Sequence, residues 1–446
     1  VTDPARQPVV DVVGGGLAGS EAAWQLARRG VSVRLHEMKP ERFSPAHVSP
    51  DLGELVCSNS LRSDQPQHAV GLLHDELRRL GSLVMWAADQ HRVPAGRALA
   101  VDRVQFSQAI TRRIEAEPRI ELVRKEVTEL PPGLAIVASG PLTSDALAVR
   151  IAPLCGTSLY FYDSISPTVY CDSLDHDVLF RASRWEDGEG DYLNSPLDRE
   201  QYYSFVDDLR SADKIPLPEF EKPLYFESCL PIEVMAERGV DTLAHGPLRP
   251  VGFALPASGK RPFAVVQLRQ EDKQGTLYNL VGFQTRMRIG EQKRVLRKLP
   301  GLENAVFARF GSVHRNTFIR APELLDSHLQ HRARPGLYFA GQIAGVEGYV
   351  ESTALGLLAG IHVAFAAGGA QAPLPPETTA LAALLRHLRE GSFANFQPMN
   401  INFGLFPPLL GQGRRMRRHE RNAALRERAL RELEPYAGAV GSGTLT

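Results

Sequence analysis

Residues 9–37 constrain this chain more than any other stretch, because they read as a strand, a glycine turn, a helix and a second strand that ends in a carboxylate. Val9-Val10-Asp11-Val12-Val13 is β-branched and suits a buried strand. Gly14-Gly15-Gly16-Leu17-Ala18-Gly19 follows at once, with Gly14, Gly16 and Gly19 at G-x-G-x-x-G spacing. In that arrangement Gly14 permits the tight turn, Gly16 lets a pyrophosphate approach the backbone, and Gly19 lets the helix lie close to the strand. The helix is expected to run from Leu17 to Arg29 before Gly30 stops it, and its unpaired N–H groups and dipole favour an anion. Val31-Ser32-Val33-Arg34-Leu35-His36-Glu37 then forms the second strand. Glu37 stands where a carboxylate accepts hydrogen bonds from adenosine ribose hydroxyls, whereas an NADP site would favour a positive charge there. A dinucleotide site built from Gly14, Gly15, Gly16, Leu17, Ala18, Gly19 and Glu37 is the expectation, with FAD and NAD both open at this point.

At 446 residues the chain can bury sizeable cores and suggests two or three domains. With 43% hydrophobic and 23% charged residues it has the composition of a globular protein rather than a disordered one. No apolar run approaches the ~20 residues of a membrane span, and residues 1–8 hold no signal-like segment, so a cytoplasmic protein without membrane contact is expected. The 51 basic and 51 acidic side chains cancel, so any affinity for a polyanion must be local. Residues 411–446 carry eight Arg against four Glu, a net charge of +4. Cys57, Cys155, Cys171 and Cys229 are too scattered for a C-x-x-C pair or a disulfide framework, which points to reduced thiols and gives no sign of a metal site.

Beyond Glu37 a Pro-, Ser- and His-rich loop leads to Glu54-Leu55-Val56-Cys57-Ser58-Asn59-Ser60-Leu61. The polar neighbours of Cys57 argue against a purely apolar niche, and the lack of a second cysteine nearby argues against dithiol chemistry. Residues 71–80 and 104–117 have the apolar spacing of scaffold helices. Gly133-Leu134-Ala135-Ile136-Val137-Ala138-Ser139-Gly140 is a short apolar strand ending at Gly140, and it resembles the second signature of two-dinucleotide-fold flavoproteins. Gly336-Leu337-Tyr338-Phe339-Ala340-Gly341 resembles their third signature, with Gln342 in the place where most such proteins have Asp. Three separated signatures favour FAD over NAD.

The expected fold class is therefore α/β: a Rossmann-like two-dinucleotide-fold FAD-binding domain, discontinuous over residues 1–150 and 335–446, with an inserted α+β substrate domain at 151–334. No second G-x-G-x-x-G occurs in the insertion, so a separate nicotinamide-binding Rossmann domain is not expected. Strand-like runs at 263–268 and 277–283 predict an antiparallel sheet there. Residues 285–299 carry Arg286, Arg288, Lys293, Arg294, Arg297 and Lys298 against Glu291 alone, which reads either as a solvated helix face or as a phosphate contact. Arg414, Arg415, Arg417, Arg418 and Arg421 repeat that pattern.

The chain as a whole resembles the folate- and FAD-dependent tRNA (uracil-5-)-methyltransferase family. The resemblance rests on residues 12–24, on Val56-Cys57-Ser58-Asn59-Ser60-Leu61, on Phe226-Glu227-Ser228-Cys229-Leu230-Pro231, on Gln267-Leu268-Arg269-Gln270-Glu271-Asp272, on His314-Arg315-Asn316-Thr317 and on residues 341–349. A larger relative, the FAD subunit that installs carboxymethylaminomethyl groups on wobble uridine, is the alternative. It carries an additional helical domain for a GTPase partner, and only about a hundred residues follow Gly341 here.

The resemblance implies methylation of carbon 5 of a T-loop uridine in tRNA, with 5,10-methylenetetrahydrofolate as one-carbon donor, FAD as hydride carrier, NADPH or NADH as reductant, and no obligate protein partner. Carbon 5 of uracil is a weak nucleophile, and a thiolate added at carbon 6 makes it enolate-like. The resemblance assigns this chemistry to Cys57 and Cys229, one as nucleophile or flavin-adduct former and the other as proton-transfer partner, without deciding which is which. His314 becomes a candidate for stacking on a pterin or acting as an acid, and Arg414, Arg415, Arg417 and Arg418 become candidates for tRNA contact. Cys155 and Cys171 are expected to be ordinary structural thiols.

Overall fold

The computed structural model describes residues 8–155, 159–164, 166–185, 190–216, 230–390, 396–409 and 416–441; for 159–164 and 313–317 the backbone alone is described. A five-stranded sheet runs in the spatial order Leu337–Phe339, Ala135–Val137, Val10–Val13, Val33–Glu37, Ile120–Arg124, and every pairing in it is parallel. Val10–Val13 lies at its centre, with Val12 opposite Leu35 on one side and Ile136 on the other. Parallel neighbours need a crossover, and helix Leu17–Arg28 supplies the one between Val10–Val13 and Val33–Glu37. The strand and helix expected from the glycine spacing are thus present, each trimmed by a residue or two at its ends.

Helix Tyr349–Ala367 packs along Leu17–Arg28. A Cβ at Gly356 would lie 2.2 Å from the Ala18 carbonyl oxygen, and one at Gly360 would lie 2.7 Å from that of Ala22, so the two helices touch backbone to backbone. Both contacts advance by one turn in the same direction, so the helices run parallel and their N-termini sit at the same end of the sheet. This helix corrects the reading that no apolar run nears membrane length: among the described residues it alone is long and apolar enough to cross a membrane, and most of it is buried inside the protein. Glu351, Ser352, Thr353 and His362 interrupt the run in the sequence, which hides it from a count of consecutive apolar residues.

A second sheet, six-stranded and antiparallel, has the order Phe180–Ala182, Tyr192–Leu197, Ala264–Gln270, Leu277–Leu280, Thr168–Tyr170, Phe307–Arg309. Helix Arg199–Ser211 packs on it through Tyr202, Phe205, Val206 and Leu209, and begins at a reciprocal cap between Asp198 and Gln201. The molecule therefore has two principal hydrophobic cores. One gathers residues between 10 and 155 with residues between 318 and 440, and the other gathers residues between 169 and 307. The chain passes between them on an antiparallel ladder that pairs Leu159–Ser164 with Val313–Phe318.

Candidate functional site

At the C-terminal ends of the parallel strands a cleft opens with about 1100 Å³ of space, the position where open α/β sheets bind ligands. Val13, Gly14, Gly15, Gly16, Leu17, Ala18, Glu37, Ser139, Gly140, Gly341, Gln342, Tyr349 and Ser352 are among the residues that line it. Gly14 has φ +106°, and a Cβ there would lie 2.5 Å from the Ala138 carbonyl oxygen, so the turn requires glycine. Gly19 does not line the cleft; a Cβ on it would fall 1.7 Å from the Gly14 oxygen, so it seats the helix against the turn. Gly16 differs from both, because a Cβ there would meet nothing within 4 Å. The space in front of it is open to a ligand.

Glu37 is buried, and its carboxylate is fixed from two sides: Oε2 accepts from the Gly15 N–H at 2.9 Å and Oε1 from the Lys39 N–H at 2.9 Å. Each oxygen retains a lone pair for a ribose hydroxyl. Gly140 borders the opposite wall, where Thr143 Oγ1 donates to the Gly140 carbonyl at 2.9 Å and sits 2.7 Å from Ser139 Oγ. On the third side Gly341 precedes Gln342, whose Nε2 donates to Glu347 Oε2 at 2.8 Å. Two parallel helix N-termini, an open glycine edge and a fixed carboxylate together fit a dinucleotide with its pyrophosphate between the helices.

Cys57 lies beside this cleft, half-buried in a loop whose neighbour Val56 is part of the cleft wall. The hydroxyl of Tyr349, another cleft residue, accepts from the Cys57 N–H at 2.7 Å and from the Ser58 N–H at 3.2 Å. Burial, with the Cys57 side chain adding to it, holds the Tyr349 hydroxyl well above its usual range, so it stays protonated. From the other core Arg269 reaches across: Nε donates to Asn59 Oδ1 at 2.9 Å and Nη2 to Ser58 Oγ at 2.6 Å. Asn59, fully buried, donates in turn to the carbonyls of Val101 and Gln270 at 3.0 and 2.9 Å. The motifs at 56–61 and 267–272 are therefore one clasp, holding the thiol where the two cores meet.

Several candidate residues fall elsewhere. Cys229, Arg414 and Arg415 lie outside the described residues, and His314 is placed only as backbone in strand Val313–Phe318. Arg417 and Arg418 are exposed at the start of helix Arg418–Ala439, far along the chain from the cleft-lining residues. Cys155 is buried in the first core, and burial pushes its thiol up to about 12. Cys171 is also shifted upward by burial. The basic run at 285–299 is largely tied down within the protein: Arg288 pairs with Asp213 at 2.8 Å, Arg294 with Asp208 at 2.6 Å and Lys298 with Asp208 at 2.6 Å. Arg297 donates to the Ala305 carbonyl at 2.8 Å. That favours the structural reading of the run over a phosphate-binding one.

Sequence reasoning did not single out Tyr349, nor Arg103 and Arg309, which donate to the Leu55 and Val56 carbonyls of the Cys57 loop at 2.9 and 3.1 Å. Tyr349 sits within the quoted 341–349 motif, so the signal was present; Arg103 and Arg309 stand in no motif and are found only through the fold.

The profile of the family described as Glucose inhibited division protein A matches residues 9–371. The methylenetetrahydrofolate–tRNA-(uracil-5-)-methyltransferase TrmFO of Geobacter sulfurreducens is 57% identical over 433 residues, 97% of this chain and 99% of its own length. The protein of the same name from Geotalea uraniireducens is 58% identical over 431 residues, 96% and 98% of the two chains. Among solved structures, Aquifex aeolicus GidA superposes with a TM-score of 0.70 at 16% identity, covering 100% of this chain and 75% of that one, a likeness of fold. By near full-length identity and by the motifs that meet at its cleft, this chain belongs to the TrmFO family, the methylenetetrahydrofolate–tRNA-(uracil-5-)-methyltransferases.

Proposed function

We propose that the protein methylates carbon 5 of the T-loop uridine of tRNA, taking its one-carbon unit from 5,10-methylenetetrahydrofolate and its reducing equivalents from NADPH or NADH, as a cytoplasmic enzyme that needs no protein partner. The observation that carries this reading is the clasp itself: a cysteine loop fixed to the wall of a dinucleotide cleft by Tyr349 on one side and by Arg269 on the other. The names of its relatives support the reaction over the wobble-uridine alternative.

In this reading Gly14, Gly15, Gly16, Leu17 and Ala18 line the pyrophosphate cradle, Gly19 seats the helix that completes it, Glu37 takes the adenosine ribose, and Gly140, Gly341 and Gln342 border the remainder of an FAD. When bound, FAD supplies the hydride that takes the one-carbon unit to the methyl level. Residues 1–150 and 335–446 form the FAD-binding domain, and 151–334 the substrate domain. Cys57 and Cys229 act as the pair of thiols, one as nucleophile or flavin-adduct former and the other as its proton-transfer partner. The fixed backbone of Cys57 and Ser58 limits the positions the Cys57 sulfur can take, which favours attack in one geometry. His314 stacks on the pterin or serves as an acid, and Arg414, Arg415, Arg417 and Arg418 meet tRNA phosphates.

A pair of RNA hairpins tests the reading. The isolated protein, supplied with methylenetetrahydrofolate and NADPH but neither GTP nor glycine, is expected to methylate a minimal T-arm hairpin and to ignore an anticodon-stem hairpin. Modification of the anticodon hairpin, or dependence on a GTPase, overturns it.

A further inference from the structure

Beneath the Cys57 loop three guanidinium groups converge from three elements. Arg103 opens helix Arg103–Glu115 and donates through Nη1 to the Leu55 carbonyl at 2.9 Å. Arg309 ends strand Phe307–Arg309 and donates through Nη1 to the Val56 carbonyl at 3.1 Å. Arg269, in strand Ala264–Gln270, holds Ser58 and Asn59 as described. The acid that the described residues place among them is Glu271, 2.6 Å from Arg103 Nη2 and 4.0 Å from Arg309 Nη2. Among the described residues three positive charges thus face one negative charge.

Parts of this cluster are cut off from water. Arg269 is 7% exposed, and Arg103 Nε, Arg309 Nε and Arg309 Nη2 are buried with no hydrogen-bond acceptor among the described residues. Burial lowers the Arg309 guanidinium from its usual value and the charge of Arg103 lowers it further, while Glu271, Tyr349 and Cys57 oppose the shift. Arg269 is lowered in the same way, chiefly by burial. Arginine nevertheless stays charged in proteins. Uncompensated buried charge is costly, and a fixed surplus of one sign in a low-dielectric site strongly favours an anion that forms beside it.

We propose that the surplus positive charge of Arg103, Arg269 and Arg309 stabilises the negative charge that develops on the uracil beside Cys57 during methyl transfer. The inference rests on the functional reading above. When a thiolate adds to carbon 6, a sulfur–carbon bond forms and the π pair of the C5–C6 double bond moves through C5–C4 onto O4; no atom leaves, and the ring becomes an enolate. Carbon 5 then bonds the methylene carbon of the folate donor and loses its proton to a base; tetrahydrofolate leaves as an exocyclic methylene forms at carbon 5, and a hydride supplied by reduced flavin adds to that methylene, giving the methyl group and re-forming the C5–C6 double bond as the thiolate departs. The guanidinium cluster lowers the energy of the enolate stage, whichever of Cys57 and Cys229 provides the sulfur. It acts through charge; its hydrogen bonds hold the loop.

Release of tritium from carbon 5 of uridine in labelled tRNA, with methylenetetrahydrofolate and NADPH present, reads the step. Arg309→Met is expected to lower kcat about 100-fold while KM for tRNA stays within about 3-fold and FAD content is unchanged. Arg309→Lys, which keeps the charge and loses the planar fork, is expected to recover to within about 10-fold of the parent. Glu271→Gln, which raises the surplus from +2 to +3, is expected to keep or increase the rate, although it breaks the ion pair to Arg103. Equal loss in the Lys and Met variants, a kcat for Arg309→Met within about 3-fold of the parent, or a fall in Glu271→Gln would overturn the proposal and leave the cluster a loop support. If the parent protein itself releases no tritium, the functional reading fails first and the proposal with it.

Discussion

Replacing Gly16 by valine separates the role of the glycine turn in folding from its role in holding a dinucleotide. The protein leaves room for the side chain, since a Cβ at Gly16 meets no atom within 4 Å. Its backbone, at φ −73° and ψ −167°, is an extended conformation that β-branched residues adopt readily. The cost to the folded chain is that of a poor N-cap residue, about 1 kcal/mol. The ligand loses much more. Valine occupies the approach to the N–H groups of Leu17 and Ala18, removing a helix-terminus interaction of up to ~2 kcal/mol and adding a steric term of about 1–3 kcal/mol. The sum, about 1–5 kcal/mol, corresponds to roughly 10–10⁴ in Kd. The assay is flavin absorbance per protein after desalting, followed by titration of the stripped protein with FAD and a thermal melt. Gly19→Ala is the contrast: its Cβ would lie 1.7 Å from the Gly14 oxygen, so that variant is expected to fail by misfolding. Full flavin content and unchanged affinity in a well-folded Gly16→Val protein would refute the placement of the pyrophosphate.

The cysteines give a second expectation: Cys57→Ala and Cys229→Ala each abolish methyl transfer, whereas Cys155→Ala and Cys171→Ala remain active, and turnover by either of the first two removes that thiol from the mechanism. Affinity for tRNA should fall steeply with salt, and reversing Arg414, Arg415, Arg417 and Arg418 should flatten the log–log slope by roughly 0.7–0.9 for each phosphate that is no longer neutralised; an unchanged slope leaves them an ordinary solvated surface. His362 offers a pH test. It is buried in helix Tyr349–Ala367, and burial, aided by the neighbouring His328, pushes its pKa down to about 3. The unfolded chain takes up a proton near pH 6.5 that the folded chain refuses, so stability is full above that pH and is lost as pH falls toward 3. Denaturant melts of His362→Gln across this window should show a shallower decline than the parent, and identical slopes would exclude the residue as a contributor.

What could be read from the sequence was what is encoded locally. The glycine spacing at 14–19 dictates a strand, turn and helix because each glycine answers a steric demand within a few residues of itself. The carboxylate at Glu37 is legible for the same reason, since the ends of adjacent parallel strands are brought together by one short crossover. The clasp was not legible, because Arg269 and Asn59 are 210 residues apart and belong to different cores. Motif resemblance flagged both segments without showing that they touch. The basic run at 285–299 misleads for a related reason: a charge count over one segment omits Asp208 and Asp213, which come from helix Arg199–Ser211 and the residues just after it. The apolar helix Tyr349–Ala367 escaped a search for unbroken runs, since Glu351 bonds the Ile401 N–H at 2.8 Å and His362 bonds the His328 carbonyl at 2.9 Å, and such internal partners let polar residues enter a buried helix.

The most direct test of the account is mass analysis of the nucleosides of an unmodified tRNA transcript after incubation with the purified protein, methylenetetrahydrofolate and NADPH. The expected result is a gain of one methyl group on uridine, confined to the T-loop, with the methyl carbon traced to isotopically labelled folate. A transcript that returns unmodified from a flavin-replete protein, or a mass gain at the wobble uridine, would contradict it.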